Sequence, residues 1–300
     1  QSVVQMNENG DGTEGEIIDR TVKELARTLD SVPDGSYAFL IGAGASRPEP
    51  AEIPTADELI AKFKEELYQR DAPHRKDKAD WAGEYEKEHR ADWQNEYGFW
   101  FSKRHPTPAA RKDEIREIVE YEDLPFGQII LANMMDDGIV SHTFTPNFDD
   151  LLFDAFHEFS KQRPMFVDHT AKAPDLTLSD DRSAIVKLHG DYIHDTQNTT
   201  EETTELKPEL SEQFEQALKE YGFVSVGYGG TDDSIMKVLE ETSFTQHGLF
   251  WCQYGDNLDD RVEELLRNSE NAYRVQIDGA DELFGTLWQE IDRVELPQSE

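Results

Sequence analysis

Phe39-Leu-Ile-Gly-Ala-Gly-Ala-Ser46 is an apolar run that stops on a loop of small residues. Tyr37 to Ile41 is too short for a helix and rich in apolar and aromatic side chains, so it reads as a buried strand. Beyond the loop, Thr55-Ala-Asp-Glu58 opens the periodic stretch Leu59, Ile60, Phe63, Leu67. Thr followed three residues later by Glu is a capping box, and it starts a helix there. Gly42 and Gly44 let a backbone approach a ligand that any β-carbon holds off. Strand, glycine loop and helix together make a diphosphate cradle, with backbone N–H groups and the helix dipole facing the anion. The spacing is Gly-x-Gly-x-Ser, not the Gly-x-Gly-x-x-Gly of hydride-transfer enzymes. Gly-Ala-Gly also serves ordinary tight turns, so the loop alone leaves nucleotide binding and turn chemistry even.

Two later segments tip that balance. Val140-Ser-His-Thr-Phe-Thr145 has strand composition and runs into Pro146-Asn147-Phe148-Asp149-Asp150, then an apolar helix from Leu151 to Phe159. Ala184-Ile-Val-Lys-Leu188 is a further buried strand, and it ends on His189-Gly190-Asp191. In an open parallel sheet ligands sit beyond the carboxyl ends of the strands, so these three ends converge on one crevice. Strands are expected at 139–145, 165–168, 184–188, 223–226, 249–253 and 273–277. Helices are expected at 149–160, 207–221, 232–241, 259–268 and 280–293. This alternation specifies an α/β fold, a Rossmann-like, mostly parallel sheet with helices on both faces.

Gly-Ala-Gly-Ala-Ser, then Thr145-x-Asn147-x-Asp149, then His189-Gly190, in that order, resembles the sirtuin-type NAD-binding domain over Tyr37 to Leu287. Within that superfamily the chain looks closest to the NAD-hydrolysing sirtuin-like proteins of prokaryotic antiphage defence, which deplete NAD and stop growth of the infected cell. The resemblance implies NAD+ as substrate, assembly as a homo-oligomer or larger defence complex, and an antiviral role. It divides the chain into an acidic polar tail with a lead-in helix, 1–34, and a sirtuin-like domain, 35–295. Within the domain, 71–123 reads as a helical insertion where deacylases carry a four-cysteine zinc module. Trp81, Tyr85 and His89 fit one helix face there, and a second helix is expected from Pro108 to Tyr121. The aromatics of this stretch are read as packing the insertion against the main domain, not as base-stacking platforms, because the charges around them are mostly acidic.

Composition narrows the function further. The 300 residues include 64 acidic and 29 basic side chains, a formal net charge of −35. Acid is spread from end to end, which points to a halophilic prokaryote whose salt screens the self-repulsion. It also argues against direct nucleic-acid binding, since no basic stripe is available for phosphates. No stretch resembles a membrane span or a signal peptide, so a cytoplasmic protein is expected. The single cysteine, Cys252, lies in the apolar run Leu249-Phe-Trp-Cys-Gln253 and reads as a buried, inert thiol. One cysteine makes no zinc ribbon, so no metal is expected and deacylation is disfavoured. Thr196 to Glu205 is a polar loop that reads as a cover beside His189.

The chemistry is assigned to few residues. Nicotinamide leaves NAD as a neutral molecule, so no general acid is required; the enzyme must stabilise an oxocarbenium-like ribose and deliver water. Asn147 suits this work because its amide both donates and accepts; its ordinary alternative is a helix N-cap. His189 is the candidate base for a ribose hydroxyl or the water, on the strength of its place in the His-Gly pair. Asp149 is read as supporting the site, Ser46 as bonding a phosphate or capping a turn. Gly42, Ala43, Gly44 and Thr145 belong to the cofactor-binding motifs. Val226-Gly-Tyr-Gly-Gly-Thr-Asp-Asp233 resembles the family's later Gly-Tyr loop, which places Gly227, Tyr228 and Gly229 near the adenosine half of NAD. Equally, those glycines only shape a turn while Thr231 or Asp232 caps the next helix. The leading function is an NAD+ glycohydrolase giving nicotinamide and ADP-ribose. The alternatives are an ADP-ribosyl cyclase or transferase, and a non-catalytic module binding NAD or an ADP-ribose derivative. Retention of both Asn147 and His189 weighs against the last.

Overall fold

The computed structural model describes residues 15–93, 96–120, 123–175, 178, 182–190 and 206–291. The tail 1–14, Tyr121, Asp191, the polar loop 196–205 and Arg293 lie outside them. In chain order the elements are β1 (Ile18–Arg20), α1 (Val22–Ser31), β2 (Tyr37–Ile41), α2 (Ala56–Asp71), α3 (Lys78–Glu88), α4 (Glu96–Arg104), α5 (Pro108–Ile118), α6 (Phe126–Asp136), β3 (Val140–Thr145), α7 (Leu151–Phe159), β4 (Met165–Val167), β5 (Ala184–Lys187), α8 (Pro208–Glu220), β6 (Gly222–Val226), α9 (Asp233–Glu241), β7 (Leu249–Tyr254), α10 (Asp260–Asn268), β8 (Ala272–Ile277) and α11 (Ala280–Glu290). All eight strands join one parallel sheet in the order β1-β8-β7-β6-β2-β3-β5-β4. The α/β sheet read from the sequence is therefore present.

Burial on both faces explains why its strands are continuous apolar runs. Successive side chains of a strand point to opposite faces. Tyr37, Phe39 and Ile41 of β2 accordingly enter one core with α1, α6, α7 and α11, while Ala38 and Leu40 enter the other with α8, α9 and α10. Phe250 and Cys252 of β7 join the first core, Leu249 and Trp251 the second. Burial pushes the Cys252 thiol far above its ordinary range, which keeps it protonated.

Three elements carried too little local signal to be expected. The edge strand β1 is short, and its pairing with β8 is purely long-range. α6 is apolar almost all round, with Ile130, Leu131, Ala132, Met134 and Met135 buried, so it lacks the polar face that reveals a surface helix. α4 holds the aromatic run Phe99-Trp100-Phe101, whose contiguity hides any period. Those aromatics pack on α2, outside the insertion, and not on the sheet itself. With Phe63 and Leu67 of α2, Trp81 of α3 and Ile115 of α5 they build a separate core, touched from the sheet side by Phe148. Stacked rings such as Tyr85–Trp100 (5.6 Å) and Phe63–Phe101 (5.5 Å) hold it together. The helix expected from Thr55 is present as α2, with its reciprocal capping box to Glu58 (Thr55 N–H to Glu58 Oε2, 2.9 Å). It does not follow the glycine loop directly. A single 3-10 turn, Ala43–Ser46, and the stretch Arg47–Thr55 come between.

Candidate active site

The chain leaves β2 toward β3 and later returns on the other side of β2 with β6, so the sheet's direction of winding reverses at β2. Loops leaving β2 on opposite sides open a crevice at the carboxyl ends, the place where such sheets bind ligands. A cavity of about 440 Å³ lies there. Its walls carry Ala43 and Gly44 after β2, Asn147, Phe148 and Asp149 after β3, His189 after β5, and Gly227, Tyr228, Gly229 and Asp232 after β6. Leu59 and Ile60 of α2, Tyr97 of α4 and Ile115 and Ile118 of α5 close the opposite side. The lining holds the carboxylates of Asp57, Glu96, Asp149 and Asp232, and among the described residues His189 is its only group able to carry positive charge.

The two glycine loops grip each other. Gly42 N–H donates to Val226 O at 2.9 Å and Gly44 N–H to Gly227 O at 2.8 Å. A Cβ on Gly42 would lie 2.5 Å from Gly227 O, and one on Gly44 2.9 Å from Gly227 Cα. Gly227 has φ +68°, and a Cβ there would lie 2.3 Å from Ala45 N. These glycines are therefore required by backbone-on-backbone packing of two loops, a demand separate from any approach of a phosphate. Ala43, Gly44, Gly227, Tyr228 and Gly229 of these loops all line the cavity, and no atom of the described residues lies within 4 Å of a Cβ built on Gly229.

Behind the wall sits a chain of hydrogen bonds. Asn147 Nδ2 donates to Ser46 Oγ at 3.1 Å, and Ser46 Oγ donates to Asp149 Oδ2 at 2.8 Å. Leu151 N–H donates to the other oxygen, Asp149 Oδ1, at 3.3 Å. A carboxylate only accepts, so Ser46 must turn its proton to Asp149 and its lone pair to the Asn147 amide. That polarity leaves Asn147 Oδ1 as the free end of the amide among the described residues. Thr145 Oγ1 donates to Ile41 O (2.7 Å) and accepts from Asn147 N–H (3.0 Å), which staples the ends of β2 and β3 together. Ser46, Thr145 and Gly42 thus stand behind the cavity wall, not in it. Burial raises the Asp149 carboxyl above its ordinary value, against the opposing effects of the Ser46 hydroxyl, the Lys187 charge and the Leu151 N–H. Asn147 is not an N-cap: α7 begins after Asp150.

Lys187 and the contact of Asp232 with His189 escaped the sequence reading. Lys187, 2 % exposed, donates to Phe148 O at 2.8 Å and pairs with Asp150 Oδ1 at 2.6 Å, tying β5 to the loop that carries Asn147. Its signal was a lysine inside the apolar strand Ala184-Ile-Val-Lys-Leu188. Asp232 caps α9, as one alternative had it, and also places Oδ2 2.6 Å from His189 Nε2. Burial pushes the Asp232 carboxyl up, but the His189 hydrogen bond and charge and the Ser234 hydroxyl outweigh it, and the group sits below its ordinary value. Tyr228 donates to Asp232 O at 3.2 Å and packs its ring on Trp251. His142, by contrast, is buried between Leu178 O and Ala184 N–H and belongs to the core.

Among known families, one model covers the ends of β3, β5 and β6 but not that of β2. Residues 141–278 match the SIR2-like domain. The matched stretch contains Asn147, Asp149, His189 and the second glycine loop. Many solved structures are similar to the chain, two of them as follows. One comes from work on the mechanism and regulation of Sir2 enzymes, at 12% identity and TM-score 0.46 over 91% of this chain and 97% of that one. The other is a complex of a Sir2 homolog with NAD, at 13% identity and TM-score 0.49 over 94% and 98%. No curated protein matches. Among the described residues no cluster of three or more His, Cys, Asp or Glu side chains is placed to hold a metal ion, and no helix is long and apolar enough to cross a membrane.

Proposed function

We propose that the chain is an NAD+ glycohydrolase, with 35–295 as its NAD-binding unit. The observation that carries this reading is the meeting of Asn147 and His189, from two different strand ends, in one cavity with both glycine loops. NAD suits these residues: an adenosine diphosphate needs close backbone walls, and a buried His189 Nδ1 without a partner among the described residues needs a proton donor. The SIR2-like match over residues 141–278 agrees with this ligand. In the reaction the C1′–N bond breaks, its electron pair enters the pyridinium ring, and nicotinamide leaves neutral. Water adds to C1′ and gives its proton to His189, which later releases it to solvent. Asn147 Oδ1 accepts from the water or a ribose hydroxyl and so holds it on the reacting face.

Hydrolysis is favoured over deacylation because one cysteine, buried in β7, makes no zinc module, and helices α3 to α5 stand between β2 and β3 instead. The role in antiphage defence, in a homo-oligomer or larger complex in the cytoplasm of a halophile, rests on the resemblance of the motifs and on the net charge. The test is incubation of the purified protein with NAD in molar KCl, with chromatographic identification of products. Nicotinamide and ADP-ribose in equal amounts are expected. Asn147→Ala and His189→Ala should each slow release by about 10² to 10⁴-fold, with effects that overlap because both act on one transition state. A cyclic product would make the enzyme a cyclase. Saturable binding of intact NAD would leave a non-catalytic module.

A further inference from the structure

His189 is held from one side only. Nε2 meets Asp232 Oδ2 at 2.6 Å, while Nδ1 is buried with no hydrogen-bond partner among the described residues. Asp232 is itself pinned. Its Oδ1 accepts from Ser234 N–H (2.9 Å), Ser234 Oγ (2.6 Å) and Ile235 N–H (3.3 Å), which fixes the carboxylate plane and presents Oδ2 to the imidazole. An ionised carboxylate can only accept, so the proton of a neutral His189 must sit on Nε2 and the lone pair on Nδ1.

We infer that Asp232 is the positioning residue of this site, fixing the tautomer and orientation of His189 so that Nδ1 takes the proton of the attacking water. The inference rests on the hydrolase reading for its chemistry. As the oxygen–C1′ bond forms, the water's proton passes to Nδ1, and the imidazolium so created lies against the Asp232 carboxylate. This is the division of labour between Asp and His in hydrolytic triads, with water in place of the serine. The cap alone does not call for this residue, because Asn and Ser cap helices about as well as Asp.

That equivalence supplies the test. Asp232→Asn and Asp232→Ser both keep a cap, so both should melt near the wild type. In Asp232→Asn the two N–H donors hold the amide oxygen where Oδ1 was, so the amide nitrogen faces His189 and donates to Nε2, moving the imidazole proton to Nδ1. The kcat of both variants is expected to fall about 10² to 10⁴-fold, with KM for NAD no higher. Nitrogen-15 NMR of histidine-labelled protein should show a pyridine-like Nδ1 in the wild type and a pyridine-like Nε2 in Asp232→Asn. Near-normal kcat in the folded variants, or a protonated Nδ1 in the neutral wild type, overturns the inference. If the wild type turns over no NAD, the hydrolase reading fails, and the spectra still decide for or against the positioning.

Discussion

Replacing Asp149 with asparagine changes one atom and should reverse a whole hydrogen-bond chain. Leu151 N–H keeps the amide oxygen of the new side chain at the Oδ1 position, so its NH2 group must face Ser46 Oγ. Ser46 then accepts from residue 149 and donates to Asn147, whose amide turns over and presents Nδ2 to the crevice in place of Oδ1. The site loses an acceptor positioned for the transition state and gains a donor aimed at another donor. Loss of one such positioned group costs about 10² to 10³ in rate, or about 2.7 to 4 kcal/mol. Ser46→Ala is the control. It removes two hydrogen bonds, from Asn147 and to Asp149, each worth about 0.5 to 1.5 kcal/mol. Only the first bears on the amide, which stays free to adopt its useful orientation, so the rate should fall only about 2 to 10-fold. The residue farther from Asn147 thus has the larger effect. Asp149→Asn should also melt higher than the wild type at neutral pH. The buried carboxyl's pKa is raised on folding, so its contribution to stability is full below the unfolded value and lost as pH rises through the folded one. Single-turnover nicotinamide release, calorimetry with NAD and thermal melts give the three readouts. If Ser46→Ala is slower than Asp149→Asn, or Asp149→Asn keeps wild-type turnover, the polarity argument is wrong.

Other perturbations follow from the same geometry. Gly44→Val should destabilise the fold by about 1 to 3 kcal/mol through overpacking against Gly227, and Gly227→Ala by about 1 to 2 kcal/mol more through backbone strain. Native melting with lost NAD binding alone would show that these glycines serve the phosphates and not the packing. Lys187→Met should cost about 3 kcal/mol in urea denaturation, the lower end for breaking a buried pair, because the Asp149 carboxyl loses its counter-charge and Phe148 O its donor. Unchanged stability would mean that water replaces the ammonium. Molar salt should be needed for cooperative structure by circular dichroism and should lower KM for NAD, since it screens both the net charge of −35 and the carboxylates lining the cavity from the diphosphate. Full structure and tight NAD binding in about 10 mM salt, where screening reaches roughly 30 Å, contradict that expectation.

Much of this fold was legible because its signals are local. A strand buried on both faces is a short apolar run, a capped helix starts on Thr-x-x-Glu, and the polar residues that stop each strand mark its carboxyl end. Knowing that Phe39-Leu-Ile, Thr143-Phe-Thr and Ile185-Val-Lys are parallel strands is enough to bring Asn147 and His189 to the same edge of the sheet. The order of strands, the edge position of β1 and the separate aromatic core of α2 to α5 depend on contacts between distant segments, and no periodicity announces them.

The site divides in the same way. The sequence by itself determined which residue types stand at the strand ends, because alternation and turn chemistry act over a few residues. Only the tertiary structure decided what each does. Asn147 has a defined amide orientation through Ser46, which is 101 residues away, and His189 a defined partner in Asp232, 43 residues away. Gly42 and Gly44 are needed by a second loop that begins at Gly227. The physical reason is the range of the interactions. A hydrogen bond fixes direction and polarity only when both partners are placed, and here folding of the sheet places them.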